Sequence, residues 1–221
     1  MPIQLHQTVI RFPEINLSPR DAHKLRGFFG NLFKEQSPLL HNHLESGELL
    51  YRYPMVQYKV LEHIPILIGL NEGADLLTQL FLQMRYLEID GCSYPILQKN
   101  IESKQLTIGL SDDLHAYRFQ TLWMALNQKN YADYRREDEV QRAKHLKSLL
   151  IGNILSFCKG INYQVEGTIM ANLKVTNEKE TKFKNKTMMA FEADFVTNML
   201  LPDSIGLGKQ TSRGFGTVVR A

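Results

Sequence analysis

The chain has 221 residues, of which 43% are hydrophobic and 22% charged, and its formal net charge is +3, a make-up that fits a folded globular protein and excludes an intrinsically disordered one. No apolar run approaches the ~18–20 residues of a membrane-spanning helix, and Met1-Pro2-Ile3-Gln4-Leu5-His6 lacks the basic and apolar regions of a secretory signal, so a cytoplasmic protein with no membrane partner is expected. Cys92 and Cys158 lie far apart and form no CxxC pair, which excludes a cysteine-rich zinc site and a disulfide framework.

In chain order, Gln4–Arg11 predicts a strand ended by Pro13. Ser18-Pro19 supplies an N-cap and a first-turn proline, and Ala22, Leu25, Phe28, Phe29 and Leu32 then recur at helical spacing. A loop over Ser37–Gly47 leads to an aromatic, β-branched run, Leu49–Leu61, and after a turn at Glu62–Pro65 to a strand over Ile66–Leu70. Ala74–Met84 predicts a helix with Leu76, Leu77, Leu80 and Phe81 on one stripe. Tyr86–Ile89 and Cys92–Ile96 flank Asp90-Gly91, a two-residue hairpin signal. This β-α-β-β-α-β order, closed by residue 96, is the split βαβ pattern of the ferredoxin-like fold.

A second series follows a short paired connection that carries Gln105–Leu110. Its expected elements are a strand over Tyr117–Met124, a turn or helix over Asn130–Arg136, and a long helix over Glu137–Phe157. The long helix would carry Val140, Ala143, Leu146, Leu149/Leu150, Ile154 and Phe157 on its apolar face. Two strands, Val165–Thr176 and Thr187–Thr197, flank a lysine-rich hairpin; a helical turn at Asn198–Leu201, a glycine-rich loop and a strand over Gly216–Arg220 complete the chain. The fold class expected is α+β, tandem ferredoxin-like (RRM-like) βαββαβ sandwiches, with domains at 1–98 and 99–221. Trp123, between Leu122 and Met124, reads as core.

Basic charge gathers toward the C-terminal third. Lys174, Lys179, Lys182, Lys184 and Lys186 face only Glu178 and Glu180, and the stretch from Asp203 adds Lys209, Arg213 and Arg220. Two readings are open from charge alone, a polyanion-binding face and a solvated hairpin. The segment Gly206-Leu207-Gly208-Lys209-Gln210-Thr211-Ser212-Arg213-Gly214-Phe215-Gly216 is more pointed. Its glycines free the backbone so that amides can converge on an anion, with Lys209, Arg213, Thr211 and Ser212 as further donors. It is neither a Walker loop nor GxGxxG. A structural glycine turn is the competing reading.

Gly-apolar-Gly, five residues, Gly-apolar-Gly near the end of a tandem ferredoxin-like chain resembles the signature of the RAMP superfamily of CRISPR RNA-binding proteins. His41-Asn42-His43 followed by Tyr51-Arg52-Tyr53-Pro54-Met55-Val56-Gln57-Tyr58-Lys59 is similar to the N-terminal half of the CRISPR repeat-RNA processing endonucleases, the "Cas six" family. Thr121–Asn127 and Leu150–Leu155 resemble further segments of that family. The resemblance implies metal-independent cleavage of the repeat in precursor CRISPR RNA, with no cofactor and no bound metal. Partners would be the repeat RNA, other CRISPR effector subunits, and a second copy in a homodimer. The alternative from another class is a non-catalytic RNA-binding RAMP subunit of an effector complex.

Such cleavage uses the RNA's own 2′-hydroxyl. A base removes its proton, the oxygen attacks the adjacent phosphorus, and an acid protonates the departing 5′-oxygen, leaving a 2′,3′-cyclic phosphate and a 5′-hydroxyl. Histidine suits either role, because its unperturbed pKa of about 6.5 lies near working pH. By the resemblance His43 is the nearer match to the functional histidine and His41 the second choice; the plain alternative is two solvent-facing histidines on a loop. Tyr51 is the candidate catalytic assistant, while Tyr53 is equally explained by sheet packing. RNA binding is assigned to Gly206, Gly208, Lys209, Ser212, Arg213, Gly214 and Gly216 and to Lys182, Lys184 and Lys186, with Lys179, Arg142, Lys144 and Lys147 in support. Phe215 reads as core rather than as a base-stacking residue.

Overall fold

The computed structural model describes residues 1–32, 53–183 and 186–221, and no side chain over 182–187. The chain divides into two compact units, one of residues 4–106 with 212–214, the other of residues 1–3, 107–211 and 215–221.

In the first unit β1 (Ile3–Arg11) leads through a single 3-10 turn, Pro19–Asp21, into α1 (Ala22–Leu32). Ser18 caps that turn as expected, its side chain accepting from the Arg20 amide while the Asp21 carboxylate reaches back to the Ser18 amide. β2 (Val56–Leu61) and β3 (Ile64–Leu70) form a hairpin tighter than the predicted turn at 62–65, because Glu62 and His63 both adopt positive φ, 51° and 67°. α2 (Glu72–Leu80) ends sooner than the apolar stripe suggests, and Phe81–Gln83 continue it as a 3-10 turn.

β4 (Tyr86–Ile89) and β5 (Cys92–Pro95) pair around Asp90-Gly91 as predicted, yet they do not close the ferredoxin-like sheet. They form a separate two-stranded sheet. Each arm is only 4 residues long, and the turn returns β5 onto β4 rather than onto β1. The fourth strand is instead β6 (Asn100–Phe119), giving the order β2-β3-β1-β6, the ferredoxin-like arrangement. One face of this sheet packs Ile10, Tyr58, Val60 and Leu67 against Leu25 and Phe29 of α1 and Leu77 and Leu80 of α2. Phe29 stacks on both Phe12 and Tyr58.

β6 carries the chain from one unit into the next. The short paired connection expected to carry 105–110 and the strand expected over 117–124 are one strand ending at Phe119, with a register shift between Leu110 and His115 that absorbs the Ser111-Asp112-Asp113 stretch. Trp123, beyond its end, makes only an isolated bridge to Phe191. α3 (Gln128–Arg136) and α4 (Glu139–Gly160) follow, the latter with a capping box on Asp138 and Gln141. Leu146, Leu150, Ile154 and Phe157 are buried as predicted, whereas Val140 is 64% exposed and Ala143 is also exposed, so the apolar face of α4 begins nearly two turns later than expected.

β7 (Ala171–Phe183) and β8 (Lys186–Leu200) form the lysine hairpin. The helical turn expected at 198–201 is strand, because the Asn198 side chain bonds sideways to the Met170 amide (2.8 Å) and the Thr168 carbonyl (3.1 Å) instead of capping a helix. β9 (Val218–Arg220) then completes the order β9-β6-β8-β7, again ferredoxin-like. Where that fold has its second helix, between the third and fourth strands, this unit has the glycine-rich segment, whose only described helical piece is the 3-10 turn Thr211–Arg213.

Candidate nucleic-acid interface

The glycine-rich segment is closed by its own backbone. The Leu207 amide donates to the Gly216 carbonyl (2.8 Å), the Gly216 amide to Leu122 (2.9 Å), and the Lys209 amide to Met124 (2.9 Å). These amides are therefore committed to the fold, and the expectation that the loop's amides converge on an anion does not hold for them. The glycines are needed for close approach. A Cβ at Gly216 (φ 64°) would lie 1.9 Å from the Leu207 carbonyl oxygen, and one at Gly208 (φ 96°) 2.8 Å from both the Met124 oxygen and the Trp123 indole nitrogen. Trp123 is fully buried, stacks on Phe119 and donates to Asn153 Oδ1 (3.0 Å), so its reading as core is met. The loop thus has a structural base, on which Lys209 and Arg213 are left half-exposed while Thr211 and Ser212 are buried.

Residues 212–214 belong to the first unit. A Cβ at Gly214 would stand 3.0 Å from the Ala22 Cβ at the start of α1, 3.5 Å from the Tyr58 carbonyl oxygen and 3.7 Å from the Lys59 Cα. Burial lowers the proton affinity of both Arg213 and Arg26, and the charge of Arg26 lowers that of Arg213 further. Burial raises the Tyr58 pKa, and the charge on Arg26 partly opposes the rise. Next along β2, Lys59 has no exposed surface, and burial pushes it down to about 7. Arg26 was missed in the sequence, where one arginine beside an apolar helical stripe carries no signal.

His41, His43, Tyr51 and Lys184 lie outside the described residues, as do the side chains of Lys182 and Lys186. Tyr53 is buried, and its hydroxyl accepts from the Gln57 amide nitrogen (2.9 Å), so packing accounts for it. Lys179 pairs with Glu192, and Arg142 lies over the Tyr134 ring while donating to the Tyr134 carbonyl (3.0 Å); both serve the local structure. The described histidines are also bonded. His6 lies 2.7 Å from Ser103 Oγ and 3.1 Å from Asp75 Oδ1, an exposed tie between β1, β6 and α2. His145 lies against Glu137 (2.9 Å), His23 against the Arg20 carbonyl (2.7 Å) and His63 against the Leu17 carbonyl (3.1 Å), while His115 accepts from Arg220.

Comparison with known proteins covers nearly all of the chain. The model of the Cas6b N-terminal domain matches residues 3–107 and that of the Cas6b C-terminal domain residues 109–221. A crystal structure of Cas6b is similar with a TM-score of 0.92 at 36% identity, covering 99% of this chain and 100% of that one. The crystal structure of CRISPR RNA processing endoribonuclease Cas6b gives a TM-score of 0.81 at 33% identity with the same coverage, 99% and 100%. An uncharacterized protein of Methanocaldococcus jannaschii is 32% identical over 142 residues, 64% of this chain and 97% of that protein.

Proposed function

The chain belongs to the Cas6b family, and from that membership we propose that it is an endoribonuclease that cleaves the repeats of precursor CRISPR RNA into guide RNAs. The observation that carries this reading is the likeness, at 33% identity over 99% of the chain, to a CRISPR RNA processing endoribonuclease. The mechanism proposed is metal-independent. His43, with His41, moves the protons, one taken from the 2′-hydroxyl and one given to the 5′-oxygen, and Tyr51 orients the reacting groups. The products carry 2′,3′-cyclic phosphate (or 3′-phosphate) and 5′-hydroxyl ends. General acid–base transfer supplies roughly 10²–10⁴-fold of the acceleration, and in-line orientation of the bound strand much of the rest.

Strand binding falls to the glycine-rich segment and the lysine hairpin. Gly206, Gly208, Gly214 and Gly216 shape the loop that presents Lys209 and Arg213 and carries the buried Ser212 between them, and Lys182, Lys184 and Lys186 add charge along the RNA. Phosphate contacts of this kind hold register without reading sequence. The partners that fit this reading are the repeat RNA, further CRISPR effector subunits and a second copy of the chain, in the cytoplasm.

The test is incubation with repeat RNA in EDTA, beside the same RNA carrying a 2′-deoxy residue just upstream of the cut. Cleavage of the first RNA alone is expected. Cleavage that stops in EDTA overturns the metal-free mechanism, and tight binding with both RNAs intact moves the chain to the non-catalytic RNA-binding class.

A further inference from the structure

We propose that Ser103, His6 and Asp75 form a surface acyl-transfer site, in which Ser103 is a nucleophile that takes the acyl group of a small, activated ester. The three side chains come from β6, β1 and the first turn of α2, all within the first unit. Ser103 Oγ lies 2.7 Å from His6 Nε2, and His6 Nδ1 lies 3.1 Å from Asp75 Oδ1. The order is nucleophile, base, carboxylate, and each ring nitrogen faces the partner that acyl transfer asks of it. An ionised carboxylate only accepts, so Asp75 fixes the ring hydrogen of neutral His6 on Nδ1. Nε2 is then the acceptor for the Ser103 hydroxyl hydrogen.

The base is held by regular elements. The His6 amide donates to Asn71 Oδ1 (3.2 Å), and the Asn71 amide donates to the His6 carbonyl (2.8 Å). Asn71 stands at the N-cap of α2 and spends its side chain on His6 instead of on the helix, so one clamp sets β1 against the helix that carries Asp75. Two residues along β1, Thr8 shares the face of His6, with its hydroxyl 3.1 Å from Ser103 Oγ and 3.5 Å from Thr78 Oγ1. Because the hydrogen of Ser103 goes to His6, Thr8 donates to Ser103 Oγ and steadies the charge that grows there as the proton leaves. Ser103 is exposed, and the side chains of His6 and Asp75 are 27% and 65% exposed, so an ester reaches the hydroxyl from solvent.

In the first step Ser103 Oγ attacks the ester carbonyl carbon while His6 Nε2 takes the serine proton. The bond from that carbon to the alcohol oxygen then breaks, and the departing oxygen receives the proton from His6, leaving an acyl-serine. Water, deprotonated by the same nitrogen, releases the carboxylic acid and restores Ser103. Ser103 and His6 are the catalytic residues, and Asp75 positions the ring. An aryl ester, whose leaving group departs readily, asks least of the site beyond nucleophile and base.

The test is incubation of the full chain with p-nitrophenyl acetate, following nitrophenolate release and locating the acetyl group by peptide mass spectrometry. Wild type is expected to carry the acetyl group on Ser103. His6→Gln should slow acetylation of Ser103 by about 100-fold or more, the loss of a general base, and Asp75→Asn should slow it as well. The wild-type rate should rise as His6 loses its proton, a pH dependence absent from His6→Gln, which a merely structural tie would not produce. Acetyl groups on lysines with Ser103 unmodified overturn the proposal, and so does Ser103 acetylated as fast in His6→Gln as in wild type. Because the first of these outcomes and the pH dependence are read on wild type, the test stands even if a substitution disturbs folding. Repeat RNA takes no part in the readout, so the result is separate from that of the RNA-processing reading.

Discussion

Lys59 lies mid-strand in β2 with no exposed surface, opposite Ile66 of β3, and burial pushes its pKa from 10.5 down to about 7. The sign of the consequence follows from proton counting. Between about pH 7 and 10.5 the unfolded chain holds a proton on this lysine that the folded chain lacks, so stability rises with pH across that window. Below pH 7 the lysine is charged in both states, and the full desolvation cost is present. Lys59→Met is therefore expected to remove this dependence, so that the stability of wild type relative to the variant rises between about pH 7 and 10.5. Denaturant titrations at pH 6, 8 and 10 check this; a difference that does not depend on pH would show that lysine protonation is not its origin. The alternation of Gln57 and Lys59 was legible in the sequence, but their complete burial was not, because a half-polar strand face is ordinarily solvated.

At the scale of elements, the glycine-rich segment occupies the place of a helix in the second ferredoxin-like unit, and its close contacts are with backbone and indole. Gly216→Ala puts a methyl group 1.9 Å from the Leu207 carbonyl oxygen at a φ of 64°. Destabilisation of about 3 kcal/mol or more is expected, at the high end for single substitutions, and should appear in the thermal midpoint with RNA affinity falling alongside. An unchanged midpoint would mean that the loop can open locally at this point. For the hairpin, replacing Lys182, Lys184 and Lys186 together by alanine is expected to flatten the dependence of log affinity on log salt by up to about 2, roughly 0.7 per phosphate contact with single-stranded RNA. An unaltered slope would leave the hairpin a solvated face. The elements themselves were largely readable, because Ser18-Pro19, Asp90-Gly91 and the leucine stripes are local signals. The identity of the fourth strand was not, since a hairpin signal says that two strands pair with each other and nothing about which sheet they join.

For the whole molecule, the proposed chemistry predicts a bell-shaped pH–rate profile from a paired acid and base. His43→Ala should lower the cleavage rate about 10²–10⁴-fold at saturating RNA while leaving affinity within a few-fold. A loss of affinity matching the loss of rate would make His43 a binding residue instead. The amino-acid sequence by itself determined the class of the protein and its tandem ferredoxin-like plan, because the capping, turn and periodicity signals that mark most of its strands and helices are local. The loop motif and the His41-Asn42-His43 block likewise pointed to the family that domain matches over 3–107 and 109–221 bear out. Tertiary structure alone decided that β6 closes the first sheet, that several loop amides are spent on backbone bonds, and that Gly214 comes to rest against Ala22 and the backbone of Tyr58. Those three facts depend on residues far apart in the chain, and nothing local in a sequence encodes which distant surfaces will meet.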